Sequence, residues 1–193
     1  MKSVVVYCGS GEGYDSTYRD IAYALGRLLA ERSIRVVYGG AKVGLMGAVA
    51  EGALDAGGEV VGVIPHFLET KEIAHEGITQ MIRVNTMHER KLKMHELSEA
   101  AITLPGGFGT MEEMFEMLTW AQLGLHQKPV GLLNINGYYD GLKVLVNNMV
   151  QEGFLGESYG NMLLSSESAE DLLDQMAQYQ APETPKYITK QTT

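Results

Sequence analysis

Cysteine is nearly missing from this chain. Cys8 is the only one in 193 residues, so no disulfide can close within it, and a reducing, cytoplasmic setting is expected. Basic residues are also scarce: 15 Lys and Arg against 24 Asp and Glu leave a formal charge of −9. Nucleic acid and anionic membrane both reward a basic surface, so neither is expected as a partner. No apolar run approaches the roughly 20 residues of a membrane helix. The opening "MKSVVVYCGS" is too short for a signal peptide, and no small-residue cleavage site follows. A dinucleotide fingerprint is incomplete. Gly9 and Gly11 fit G-x-G-x-x-G, but position 14 is tyrosine, and the second apolar run ends in Tyr38-Gly39-Gly40 where a ribose-binding acid belongs. That disfavours a dehydrogenase, while Gly9 and Ser10 stay available as nucleotide contacts. A metal is not expected: His88 and His95 share a helix face, but no Cys or acid completes a ligand set.

What is present is an alternation. Short β-branched runs at Val4 to Tyr7, "IRVVYGG", "EVVGVIP", "MIRVN", "AAITLP", "PVGLLN" and "NMLLSS" read as strands. Between them lie helical patterns: Tyr18 to Arg32, "GLMGAVAEGALDAGG", Thr86 to Ser98, Met111 to Leu123 and Tyr139 to Gln151, with Ala169 to Tyr179 at the end. Residues 66–79 read as irregular. Apolar strands alternating with helices predict an α/β fold, a doubly wound parallel sheet covered on both faces. The length suits one domain, residues 1–180, with a Pro/Thr-rich tail over 181–193. Ligands in such folds bind beyond the carboxyl ends of the strands, which is where many of the 23 glycines cluster.

Three stretches there have the residues for chemistry. In "YGGAKVGLMG" the helix start "GLMG" carries no acid, so its amides and dipole are open to an anion; close helix–strand packing explains the small residues equally well. In "TMHERKLKMHELS" the residues Met87, Met94 and Leu97 form an apolar stripe, and Arg90 falls on it, either snorkelling outward or held inward for a purpose. Lys91 and Lys93 lie off the stripe, where solvent suits them. In "LPGGFGTMEEMFE" Thr110 and Glu113 have the spacing of a capping box, with Thr110 as N-cap. A cap does not explain Gly106, Gly107 and Gly109, which allow a ligand to touch backbone. The helix that follows, with Met114, Phe115, Met117, Leu118, Trp120, Ala121 and Leu123, is apolar nearly all round and predicts burial on more than its sheet side.

Taken in order, "YGGAKVGLMG", "MHERK" and "PGGFGTMEE" resemble the cytokinin-activating phosphoribohydrolases, the "lonely guy" family, over roughly residues 3–180. The resemblance implies a Rossmann-like, usually homodimeric hydrolase. Its substrates would be nucleoside 5′-monophosphates, N6-substituted AMP such as isopentenyl-AMP or AMP itself, cleaved to free base and ribose 5-phosphate. It implies no cofactor. Arg90 and Glu113 match its catalytic pair. Glu72, Lys91, Gly106, Gly107, Phe108, Gly109, Thr110, Met111, Glu112 and Thr119 match substrate contacts. Gly9, Ser10, Gly39, Gly40, Gly44, Met46 and Gly47 are expected at the phosphate, with Gly109 and Thr110. Ala41 stands where the family often has a third glycine, which qualifies the geometry expected of that loop. The alternative is a non-catalytic nucleotide or pterin-cofactor carrier on the same fold; it needs neither adjacent acids nor an arginine on an apolar stripe.

Overall fold

The computed structural model describes residues 1–69 and 74–183. Strand β1 (Ser3–Tyr7) is five residues of "SVVVY", all buried, as an apolar run covered on both faces must be. It is the middle strand of a seven-stranded parallel sheet. The others are β2 (Arg35–Tyr38), β3 (Val60–Pro65), β4 (Gln80–Val84), β5 (Ala100–Thr103), β6 (Val130–Leu133) and β7 (Leu163–Ser166), in the order β4-β3-β2-β1-β5-β6-β7. The chain works outward from β1 to β4, then returns to the other side of β1 as β5, pairing Tyr7 with Thr103. This reversal puts a crevice over the carboxyl ends of β1 and β5.

The helices divide between the two faces. Val4 and Val6 join a core with α1 (Ser16–Glu31), α2 (Gly44–Asp55) and α7 (Ala169–Gln178). Val5 and Tyr7 point the other way, into a core with Met94 of α3 (Met87–Glu96) and with Met114 and Met117 of α4 (Phe108–Gln122). Helix α5 (Asp140–Gln151) has no buried residue, and a short α6 (Glu157–Gly160) follows it, which the sequence pattern does not announce. No helix among the described residues is long and apolar enough to cross a membrane.

The α1–α2 contact explains the small residues of α2. A Cβ on Gly26 would strike the Val49 carbonyl, and one on Gly52 the Tyr23 carbonyl. The helices therefore touch backbone to backbone.

Candidate functional site

A cavity of about 290 Å³ opens over the β1–β5 crevice, walled by Tyr7, Cys8, Gly9, Ser10, Gly39, Met46, Met87, Arg90, Met94, Gly107 to Thr110, Glu112 and Glu113, among others. Arg90 reaches it because α3 is rigidly started. Thr86 is its N-cap, its Oγ1 accepting from the Glu89 amide at 3.1 Å, while the Glu89 carboxylate accepts from the Asn85 amide at 2.8 Å. One residue on, Arg90 turns inward and is 5% exposed. Its Nε donates to the Val63 carbonyl at 3.1 Å and its Nη2 to the Gly39 carbonyl at 2.8 Å. The stripe residue is thus held inward, between the ends of β2 and β3. A Cβ on Gly39 would collide with that guanidinium, so the glycine makes the arginine's seat.

Helix α4 brings the acids. It begins at Phe108 with Gly107 as N-cap, and no side chain caps it. The capping box expected from Thr110 and Glu113 is absent, because the helix starts three residues earlier than Thr110 would set it. Thr110 is buried inside the first turn and packs where a Gly106 Cβ would otherwise sit. Gly107 and Gly109 are exposed, with open space beside each, and Phe108 is 95% exposed. The first turn carries no acid, its residues Phe108, Gly109 and Thr110 line the cavity, and a helix start of this kind favours negative charge. Glu112 and Glu113 come one turn later, beside the cavity.

The fields of these groups register on their neighbours. Burial pushes the Cys8 thiol far up; the Glu113 charge adds to this and the Arg90 charge opposes it. Tyr7 is raised by burial first, then by Glu113, Glu116 and Glu112. Lys91 is not solvated but 8% exposed. Its Nζ donates to Glu112 Oε1 at 2.5 Å and to Glu116 Oε1 at 2.9 Å. Burial acts to lower its ammonium; the two carboxylates outweigh this and hold it above its ordinary range.

The expected site residues are only partly brought together. Gly9, Ser10, Gly39 and Met46 line the cavity beside Arg90, Gly107 to Thr110, Glu112 and Glu113; Gly40, Gly44, Gly47, Lys91 and Met111 do not. Gly44, at φ +66°, sits where a Cβ would meet the Ser10 carbonyl, and the Leu45 amide donates to the Gly11 carbonyl at 3.3 Å. The β1–α1 loop therefore closes over the α2 start, where Gly44 and Gly47 both permit close backbone packing. Ala41 is fully buried outside the left-handed region, so its methyl brings no strain. Met111 packs against the core of the α3–α4 face. Thr119 donates to the Phe115 carbonyl at 2.7 Å and lies in a separate groove of about 180 Å³ on the side of α4 that faces α5 and α6, with Leu118, Met149 and Tyr159. Glu72 lies outside the described residues. A second cavity of about 290 Å³ shares Gly9, Ser10 and Gly107 with the first and is bounded by Tyr18 and Tyr138.

Tyr7, Cys8 and Glu116 belong to this neighbourhood without having been expected there. The first two end the central strand, a place the switch-point rule could have marked; Glu116 is one helical turn from Glu112, a spacing visible in the sequence. Among the described residues, no group of three or more His, Cys, Asp or Glu is arranged to hold a metal ion.

A family model described as "Possible lysine decarboxylase" matches residues 46–176. A protein of Oryza sativa subsp. japonica named "Probable cytokinin riboside 5′-monophosphate phosphoribohydrolase" is 46% identical over 179 residues, covering 93% of this chain and 85% of the relative. A cytokinin riboside 5′-monophosphate phosphoribohydrolase of Arabidopsis thaliana is 43% identical over 190 residues, covering 98% and 89%. Among solved structures, the molybdenum cofactor binding protein of Rippkaea orientalis superposes with a TM-score of 0.70 at 22% identity, covering 92% of this chain and 97% of that one; it shares the fold.

Proposed function

The chain belongs to the family of the cytokinin riboside 5′-monophosphate phosphoribohydrolases, and we propose on that basis that it hydrolyses the N-glycosidic bond of nucleoside 5′-monophosphates. The substrates we propose are N6-substituted AMP, such as isopentenyl-AMP, and AMP itself; the products are free base and ribose 5-phosphate. One observation carries this reading. An uncapped helix start suited to an anion and a pair of carboxylates face the same cavity, one turn apart on α4.

A nucleotide fits both demands. Its phosphate sits against the amides of Phe108, Gly109 and Thr110, and its ribose extends towards Glu112 and Glu113. As the bond from C1′ to the base nitrogen breaks, positive charge gathers on the sugar. The Glu113 carboxylate stabilises that charge and orients the water whose oxygen bonds to C1′; the departing base ends with a proton. Arg90, always charged, orients the carboxylates and the sugar–phosphate rather than giving a proton.

The decarboxylase description suits the cavity less well. A pyridoxal phosphate enzyme needs a lysine amine in the wall, and the wall contains no lysine among the described residues; Lys91 is bound to Glu112 and Glu116. A carrier role on this fold would need neither the inward Arg90 nor the adjacent acids.

We also propose a homodimer of a single domain, residues 1–180, in the cytoplasm. The side of α4 that faces α5 and α6 supports the dimer, with its apolar groove at Phe115 and Leu118, as do Leu145 at 48% and Phe154 at 87% exposure. A second copy would cover that side, and we assign Thr119 to the contact between copies. The single buried Cys8 suits a reducing compartment.

The test is a panel of nucleoside monophosphates assayed for ribose 5-phosphate. Release from AMP or an N6-substituted AMP is expected. Release from none of them would remove the proposal.

A further inference from the structure

Glu112 and Glu116 stand four residues apart on α4, so their carboxylates share a face and repel. A single cation from another helix lies between them. Lys91 Nζ is 2.5 Å from Glu112 Oε1 and 2.9 Å from Glu116 Oε1, and the lysine side chain is 10% exposed. The two acids are placed differently. Glu112 is 55% exposed and forms part of the cavity wall; Glu116 is 24% exposed and does not. Lys91 directly follows Arg90, so α3 delivers one cation to the cavity and the next to the acids beside it.

We propose that Glu116 is a positioning residue, which shares the Lys91 ammonium with Glu112 and so holds the Glu112 carboxylate, only partly neutralised, at the cavity rim. The argument is one of charge. Two carboxylates and one ammonium sum to −1, and the cavity-facing member of the trio is Glu112. With Glu116 removed, Lys91 and Glu112 close into a neutral pair, and the rim no longer presents net negative charge to a sugar that becomes positive in the transition state. The same bonds read as a mere tie between α3 and α4 would affect stability alone. The raised Lys91 ammonium agrees with the sharing. The inference rests on the phosphoribohydrolase reading above.

The experiment compares wild type, Glu116→Gln and Glu116→Asp on AMP and N6-isopentenyl-AMP, with a melting curve for each. The Lys91 ammonium is titrated in parallel by nitrogen-15 NMR on the labelled full chain. Glu116→Gln is expected to lower kcat roughly tenfold, as loss of a supporting shell does elsewhere, with KM nearly unchanged. Its Lys91 titration should move down towards the ordinary lysine range. Glu116→Asp keeps the charge and should recover most of the rate. Wild-type kcat in Glu116→Gln, or a raised KM with kcat unchanged, would overturn the proposal. If wild type releases no ribose 5-phosphate, the hydrolase reading fails by itself. The titration still decides the clamp, because an unmoved Lys91 in Glu116→Gln overturns it.

Discussion

Gly39 and Arg90, 51 positions apart in sequence, form a single fitted pair: the Arg90 Nη2 donates to the Gly39 carbonyl at 2.8 Å, and any Cβ on Gly39 would occupy the place of that nitrogen. The end of β2 is therefore shaped to the arginine.

Gly39→Ala should consequently disable the enzyme through Arg90. Displacing a buried guanidinium from two backbone carbonyls is overpacking with a polar penalty, and a stability loss of about 1–3 kcal/mol is expected. The kcat of Gly39→Ala should fall towards that of Arg90→Ala. The check is kcat beside a melting curve. A Gly39→Ala enzyme with full activity would show that the seat is not needed.

The 5′-phosphate should be required. The uncapped start of α4 lines the cavity, and a phosphate bound there would position a sugar with which it does not itself react. Adenosine should be cleaved with a kcat/KM at least about 10²-fold below that of AMP. Equal values would show that the phosphate is not used and contradict the prediction.

Stability should fall with acid through His126. Its Nε2 bonds the Met117 carbonyl at 3.0 Å, and its Nδ1 accepts from the Lys128 amide at 3.0 Å. Both nitrogens are thus engaged as a neutral ring. Burial, then the Lys128 charge, lowers its pKa to about 4. The unfolded chain binds the proton near pH 6.5 and the folded chain does not until about pH 4. Stability from this group is therefore complete above the unfolded value and is lost as pH falls towards the folded one, by at most ~1.4 kcal/mol per pH unit. His126→Gln offers the same donor and acceptor without titrating. Its melting temperature should fall less than that of wild type between pH 6.5 and 4.5. Parallel curves for the two would contradict the assignment.

The assembly should scatter as a dimer. Light scattering at micromolar concentration should give close to twice 21.1 kDa. A clean monomer would leave the groove beside α4 without its proposed cover.

Much of the fold was legible. Each apolar run became a strand within a residue or two, most plainly in β1, β3, β5 and β6, where every residue is buried. The order β4-β3-β2-β1-β5-β6-β7 was not legible, since pairing is decided by distant contacts. The site was legible in its residues and less so in their roles. Thr86 to Glu89 and Thr110 to Glu113 share the spacing of a capping box, yet the threonine caps its helix at Thr86 and not at Thr110. Local sequence treats the two alike. The glycines before Thr110 let the chain enter the helix early, and the fit of Thr110 against Gly106 decides where. Lys91 looked like a solvated lysine for a related reason: its partners lie on another helix, 21 and 25 positions away. The glycines at the α2 start suit an anion and close packing equally in sequence; the structure adds that a Cβ on Gly44 would meet the Ser10 carbonyl, a contact with a loop more than thirty positions earlier.

The most direct measurement is kcat for Glu113→Gln on AMP or an N6-substituted AMP. Glu113 is not the cap of α4, whose N-cap is Gly107, and a melting curve beside kcat separates loss of its charge from loss of fold. Loss of the charge should lower kcat by about 10²-fold or more, equivalent to ~3 kcal/mol, with KM little changed because the sugar cation exists only in the transition state. A Glu113→Gln enzyme of wild-type kcat would contradict the account and pass the role to Glu112.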